Sequence, residues 1–258
     1  MTSEWAVVVP WANPVQLDAF LQAWHVPRPI PEWLVLQRDE HREGCGATKN
    51  KGVVKAVEMG ASVVVVLDDD CFPDEVDSLV DHAERHARCL DGLHEVELFE
   101  VVTDPPSRGT PYGCRTALMP PAASMGFWTE IGDHCAVRQL ATNGAAMSFC
   151  EKTVYQRWFP LCGMNLAFRP GQWDPWCRFI EVPRFDDIWM GWLWQREAYR
   201  RGHCFNLRGP MVRHSRQSNV WRNLQEEAVY LEANEVLWRT IATSPRSSYW
   251  DLRRLLPT

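Results

Sequence analysis

Short apolar runs alternate with amphipathic helical stretches through the first half of the chain, and this alternation predicts β-α-β units feeding a parallel sheet. Trp5 to Val9 reads as a first strand, Val15 to Trp24 as a helix and Trp33 to Leu36 as a second strand. Ala47 to Met59 reads as a helix, and Ser62 to Leu67 as a buried strand because it is almost continuously β-branched with no polar face. Asp68 then falls at the carboxyl end of a central strand, where open α/β sheets hold their ligands. Pro73 to Leu90 is predicted helical, with Pro73 and Asp74 as its start. From about Leu98 to Phe149 the alternation weakens, and short mixed strands and loops are expected. The last third predicts a helix from Asp187 to Arg201, a turn at Gly209 and Pro210, a long helix from about Asn223 to Ile241, and a loose tail after Ser244.

The expected organisation is one α/β unit over residues 1–243, with a nucleotide-binding half over about 1–100, an acceptor half over about 101–243 and a tail over 244–258. A chain of 258 residues, 46% hydrophobic, can bury one substantial core. A net charge of −6 argues against a wholly basic surface for nucleic acid. The nine cysteines include no C-x-x-C pair, so a disulfide framework and a cysteine zinc site are not indicated, and a reducing, cytoplasmic setting fits. No stretch approaches the roughly 20 apolar residues that span a bilayer, so a soluble protein without a membrane partner is expected. Trp173, Trp176, Trp189, Trp192 and Trp194 crowd one region, where core filling is the commoner use of such side chains and a pocket wall the alternative.

Asp68, Asp69 and Asp70 are three adjacent carboxylates that repel one another unless a cation or donors neutralise them. A hard divalent ion such as manganese or magnesium suits them, and such ions usually complete their shell with water and phosphate oxygens. The plainer alternative is an acidic start for the helix that follows. His214, far along the chain, is a further candidate ligand, although a lone histidine is more often a satisfied structural group.

The chain resembles the reversibly glycosylated polypeptides of plants, whose members include UDP-arabinopyranose mutases. The similar stretches are Val66-Leu67-Asp68-Asp69-Asp70-Cys71-Phe72, Arg108-Gly109-Thr110-Pro111-Tyr112-Gly113-Cys114-Arg115 and Cys162-Gly163-Met164-Asn165-Leu166-Ala167-Phe168. Arg184-Phe185-Asp186-Asp187-Ile188-Trp189-Met190-Gly191-Trp192 and His214-Ser215 with Ser218-Asn219 complete the set, in the family's order. Five ordered motifs are far more specific than one D-x-D.

The resemblance implies a GT-A (Rossmann-like) fold, a mainly parallel sheet flanked by helices, a UDP-sugar donor and a manganese or magnesium ion. It places Asp68 against the nucleoside and Asp70 with His214 on the metal, and leaves the role of Asp69 open. Pro10, Trp11, Gln37 and Asp39 would line the uridine, Asn50 and Lys51 would lie near the phosphates, and Gly163, Met164 and Asn165 beneath the sugar. Asp186 and Asp187 would reach the acceptor, one of them as general base, with Trp189 in the same wall; helix capping is the alternative for the acidic pair. Arg108 matches the arginine that becomes glycosylated in the plant family, with Arg115 as its companion, but a guanidinium is a poor nucleophile and phosphate or sugar-hydroxyl recognition is the first reading of Arg108.

Relative to that family the sequence is shorter, the stretch before Arg184 is abbreviated and Leu193 stands where a cysteine usually follows Gly-Trp, and the family's C-terminal extension is expected to be missing. The donor side is therefore expected to be kept and the acceptor side changed. Three classes of function stay open: an enzyme that transfers or isomerises the sugar of a UDP-sugar, a glycosyltransferase acting on modified bases of viral DNA, and a non-catalytic nucleotide-sugar-binding protein. The acceptor could be a small molecule, an arginine of the chain itself or modified nucleic acid. For the DNA reading, Arg196, Arg200, Arg201, Arg208, Arg213, Arg216 and Arg222 are the candidate phosphate contacts. The oligomeric state is not set by the sequence.

Overall fold

The computed structural model describes residues 4–100, 107–111, 113, 115–130, 134–142, 149–215, 219–243 and 254. In chain order its elements are β1 (Trp5–Trp11), α1 (Pro14–Ala23), β2 (Leu34–Arg38), α2 (Cys45–Glu58), β3 (Val63–Leu67), β4 (Cys71–Pro73), α3 (Leu79–Cys89), β5 (His94–Glu97) and β6 (Thr116–Met119). They continue with β7 (Pro121–Glu130), α4 (Ala136–Thr142), β8 (Thr153–Val154), β9 (Asn165–Phe168), α5 (Pro170–Trp173), α6 (Asp186–Arg200), β10 (Cys204–His214), α7 (Val220–Ala228) and α8 (Leu231–Thr243).

The main sheet runs β2-β1-β3-β9-β7-β10-β4, with β8 paired to the start of β10, and β5 with β6 forms a separate antiparallel ribbon. β1, β2 and β3 are parallel, β9 runs against both β3 and β7, β10 runs with β7, and β4 runs against β10. The mixed sheet of mainly parallel strands, flanked by helices, is the GT-A-like α/β class expected from the sequence. This topology brings the ends of β1, β2, β3, β7 and β10 and the starts of β9 and β4 to one edge. His214 lies opposite Cys71 and Glu130 there, and Leu67 lies opposite Asn165.

Every residue of β3 is buried, as are Ala6 to Val9 of β1, and each fully buried valine or leucine stabilises the fold by about 1.5–3 kcal/mol. Trp173, Trp189 and Trp194 are fully buried, and Trp176 and Trp192 pack on the same core, so the tryptophan-rich region fills the interior. Among the described residues no helix is long and apolar enough to cross a membrane.

Four expectations require correction. The helix expected from Pro73 to Leu90 is β4 followed by α3, because Pro73 ends an edge strand and the helix is capped at Ser78, whose hydroxyl accepts from Asp81 N at 3.0 Å. The turn expected at Gly209 and Pro210 lies inside β10, where the register shifts. A Cβ at Gly209 would press on His86 and on Gly126 N of β7, so the glycine allows a close strand and helix approach instead of a reversal. The long helix expected over Asn223 to Ile241 is α7 and α8, separated at Val229 and Tyr230. The Tyr230 ring packs edge-on against Phe185 and Trp189, and Glu227 accepts from Arg184 and from Ala136 N at the start of α4, which fixes the two helices separately. Finally, the stretch expected to hold only short strands contains the ten-residue β7, whose alanines, serine and glycine lack the branched side chains of β3. Tyr112, Cys114, Arg216, Ser218 and the tail apart from Arg254 lie outside the described residues.

Candidate functional site

The three aspartates form the turn between β3 and β4, not the start of a helix. Cys71 N donates to Asp68 O at 3.0 Å and closes the turn, while Asp68 N donates to Met164 O at 3.0 Å. Asp69 and Asp70 are buried, and the Asp69 carbonyl accepts from Gln16 Nε2 at 3.0 Å. Because β4 pairs antiparallel with the end of β10, Asp70 arrives beside His214: Asp70 Oδ2 and His214 Nε2 are 3.8 Å apart, and Ser215 N donates to Asp70 O at 3.4 Å.

Asp68 turns toward α2. Lys49 Nζ lies 2.9 Å from its Oδ1 and donates to its Oδ2 at 3.2 Å, with a lysine side chain only 3% exposed. The ammonium also sits over the Phe179 ring, 5.2 Å from its centroid. Burial disfavours the Lys49 charge, yet Asp68, with Asp186 and Asp187 in electrostatic reach, holds its pKa well above the usual lysine value. Burial raises the Asp68 pKa to about 6; Lys49 opposes the rise, and Asp70 and Asp186 add to it.

Asp186 and Asp187 open α6, whose preceding residue Phe185 offers no side-chain cap. Asp187 Oδ2 accepts from Gly163 N at 2.7 Å and its Oδ1 from Ile188 N at 2.7 Å, which ties the start of α6 to the loop before β9. Asp186 is buried, its pKa is raised by that burial against the pull of Lys49, and its Oδ2 has no hydrogen-bond partner among the described residues. It packs over Gly46 of α2, where a Cβ would meet Ile180 O and Asp186 Cβ. Gly163 is equally constrained, since a Cβ there would meet Phe179 and Asp187.

The other predicted site residues divide between this edge and the framework. Pro10, Trp11 and Gln37 lie at the paired ends of β1 and β2, Arg38 covers the Trp11 ring at 5.3 Å, and Gln37 donates to Arg38 O at 3.1 Å. Asp39 accepts from Glu43 N at 2.8 Å and Gly44 N at 3.3 Å, holding the loop that enters α2. Asn50 clamps the Phe179 backbone through two 2.9 Å hydrogen bonds, and Lys51 is exposed and paired with Glu43. Met164 contributes its carbonyl to Asp68, whereas the Asn165 side chain points into the core toward His82, His86 and Pro210 O. Trp189 is wholly buried and donates to Asn234 Oδ1 at 3.0 Å. Arg108 is exposed on the turn closed by Thr110 N and Ser107 O at 3.1 Å, without a hydrogen bond or ion pair to the aspartates among the described residues; Arg115 donates to Pro111 O. Of the basic set, Arg196 is buried, Arg200 and Arg201 pair with Glu197, Arg213 with Glu130 and Arg222 with Glu226, while Arg208 is exposed.

Lys49 and Phe179 are the site residues that sequence reasoning missed. Helix phase distinguishes Lys49 from Lys51: Lys49 shares its face with Gly46, Gly52 and Ala56, the small residues packed against the sheet and α6. Among the described residues no three His, Cys, Asp or Glu side chains form a metal cage. Asp70 and His214 offer instead a carboxylate and an imidazole facing one another, a two-donor set that fits an ion whose shell is completed by phosphate oxygens and water.

Residues 59–244 match the family model described as reversibly glycosylated polypeptide. UDP-arabinopyranose mutase 3 of Arabidopsis thaliana is 29% identical over 75% of this chain and 60% of its own length. UDP-arabinopyranose mutase 1 of the same plant is 30% identical over 64% of this chain and 51% of its own length. The chain thus spans about half the length of the curated relatives it matches.

Proposed function

This chain belongs to the reversibly glycosylated polypeptide family, and from that premise and the site geometry we propose that it is a metal-dependent enzyme acting on a UDP-sugar, by transfer or by isomerisation of the sugar. The observation that carries the reading is the meeting of Asp70, His214 and the Lys49-bound Asp68 at the ligand-holding edge of the sheet. Asp70 and His214 would hold manganese or magnesium. Bound there, the ion supplies Lewis-acid stabilisation for charge that grows on the leaving diphosphate.

The chain's own residues supply the rest. Asp68, fixed by Lys49, accepts from a nucleoside hydroxyl, and Pro10, Trp11 and Gln37 border the base at the ends of β1 and β2. Gly163 and Met164 give the sugar a close backbone floor, which Asp187 holds in place through Gly163 N. Asp186, with a buried and unpartnered carboxylate oxygen, orients an acceptor hydroxyl and takes its proton. Arg108 stays on the acceptor side as a recognition group for phosphate or sugar hydroxyls. Residues 1–243 would act as one unit, its first 100 residues serving the nucleotide.

Incubation with manganese and a panel of UDP-sugars tests this: UDP is released from at least one, or its sugar ring form changes, and Asp186→Asn lowers that turnover about a hundredfold while leaving UDP binding largely intact. UDP binding without turnover of any sugar in the panel would support a carrier and contradict the enzyme.

A further inference from the structure

We infer that Lys49 is a positioning residue that binds Asp68 of the β3 turn directly and holds Asp186 of α6 through the field of the same charge, a triad that sets the nucleotide side of the site against its acceptor side. The inference rests on the functional reading above and adds a part that neither the motifs nor the two halves taken singly contain. Lys49 reaches both Asp68 oxygens, at 2.9 and 3.2 Å, from a side chain 3% exposed. Asp186 packs over Gly46, three residues earlier on the same face of α2, which brings its carboxylate into the electrostatic reach of the same ammonium, farther off than an ion pair. Phe179 covers that ammonium and is itself locked to α2 by Asn50.

Stability alone is a poor reason for such an arrangement, since replacing buried ion pairs by apolar groups is often neutral or stabilising. One cation shared by carboxylates on two separate elements has another consequence. Removing it leaves the buried Asp186 and the part-buried Asp68 repelling one another without a counter-charge, and the site must open or take up a proton. Asp68 would then lose the orientation it needs for a nucleoside hydroxyl.

A double-mutant cycle over Lys49→Met and Asp186→Asn tests this, reading UDP affinity by calorimetry at saturating manganese and melting temperature without ligand. Lys49→Met is expected to weaken UDP binding by about tenfold or more. Adding Asp186→Asn to it should recover most of that loss, because only one carboxylate then lacks its partner. If Lys49→Met alone does not fold, the double variant must fold and bind UDP within about tenfold of wild type. A folded Lys49→Met protein with wild-type UDP affinity overturns the inference, as does a double variant that binds no better than Lys49→Met. A merely structural lysine would move the melting temperature and leave the affinity of folded variants alone. Should the wild type itself not bind UDP with manganese, the functional reading fails, and the triad is still judged by whether Asp186→Asn restores the melting temperature lost in Lys49→Met.

Discussion

Asp68 has a pKa raised to about 6, against roughly 3.9 in an unfolded chain, so the folded state keeps a proton that the unfolded state has lost between those values. The sign follows directly: this group leaves the fold most stable below about pH 4 and removes stability as the pH rises through 6. A divalent ion held by Asp70 and His214, as proposed, would offset that loss when the carboxylates are charged. Manganese should therefore raise the melting temperature clearly at about pH 7.5 and far less at about pH 5; equal shifts at both would contradict the assignment. At this scale the aspartates and His214 were legible because they sit in ordered motifs. Lys49 was not, because Lys49 and Lys51 look alike in sequence and only the phase of α2 separates a buried lysine from a solvated one.

Between elements, α3, β7, β9 and β10 are joined by one buried polar network. Asn165 Nδ2 donates to Pro210 O at 2.8 Å, so its Oδ1 must be the acceptor from His82 Nε2 at 3.0 Å and His86 Nε2 at 2.8 Å, and His86 Nδ1 is left to accept from Ser124 Oγ at 2.9 Å. Gly126 has no room for a Cβ beside Pro210 O and Asn165 Nδ2. Burial lowers the His86 pKa to about 4 and that of His82 well below its usual value, so this network stabilises the fold above about pH 6.5 and loses that contribution as the pH falls toward 4. His86→Ala should cost about 3 kcal/mol in urea unfolding at neutral pH, through a cavity and the hydrogen bonds lost to Ser124 and Asn165, and should lessen the loss of stability toward acid. A variant as stable as wild type would remove the network from the account. β3 was legible because a short, almost continuous β-branched run favours a buried strand. β7 was not, because its alanines, Ser124 and Gly126 are chosen by what must approach them from β9, β10 and α3, and those partners are distant in sequence.

Across the whole molecule, the site exists because β4 returns to pair with the end of β10, and because β9, reversed between β3 and β7, brings Gly163 and Met164 to the same edge. The α/β class was readable from the alternation of the first half. Strand order was not, since it depends on pairings between the two halves that no local pattern encodes. The same closure joins Asp70 to His214, 144 positions later in number, across 3.8 Å. Calorimetric titration of UDP into wild type and Asp70→Ala, with and without manganese, tests that closure most directly. Manganese is expected to tighten UDP binding to wild type by about tenfold or more and to leave the affinity of Asp70→Ala unchanged; an Asp70→Ala protein that keeps the full manganese-dependent gain would contradict the metal site and the function built on it.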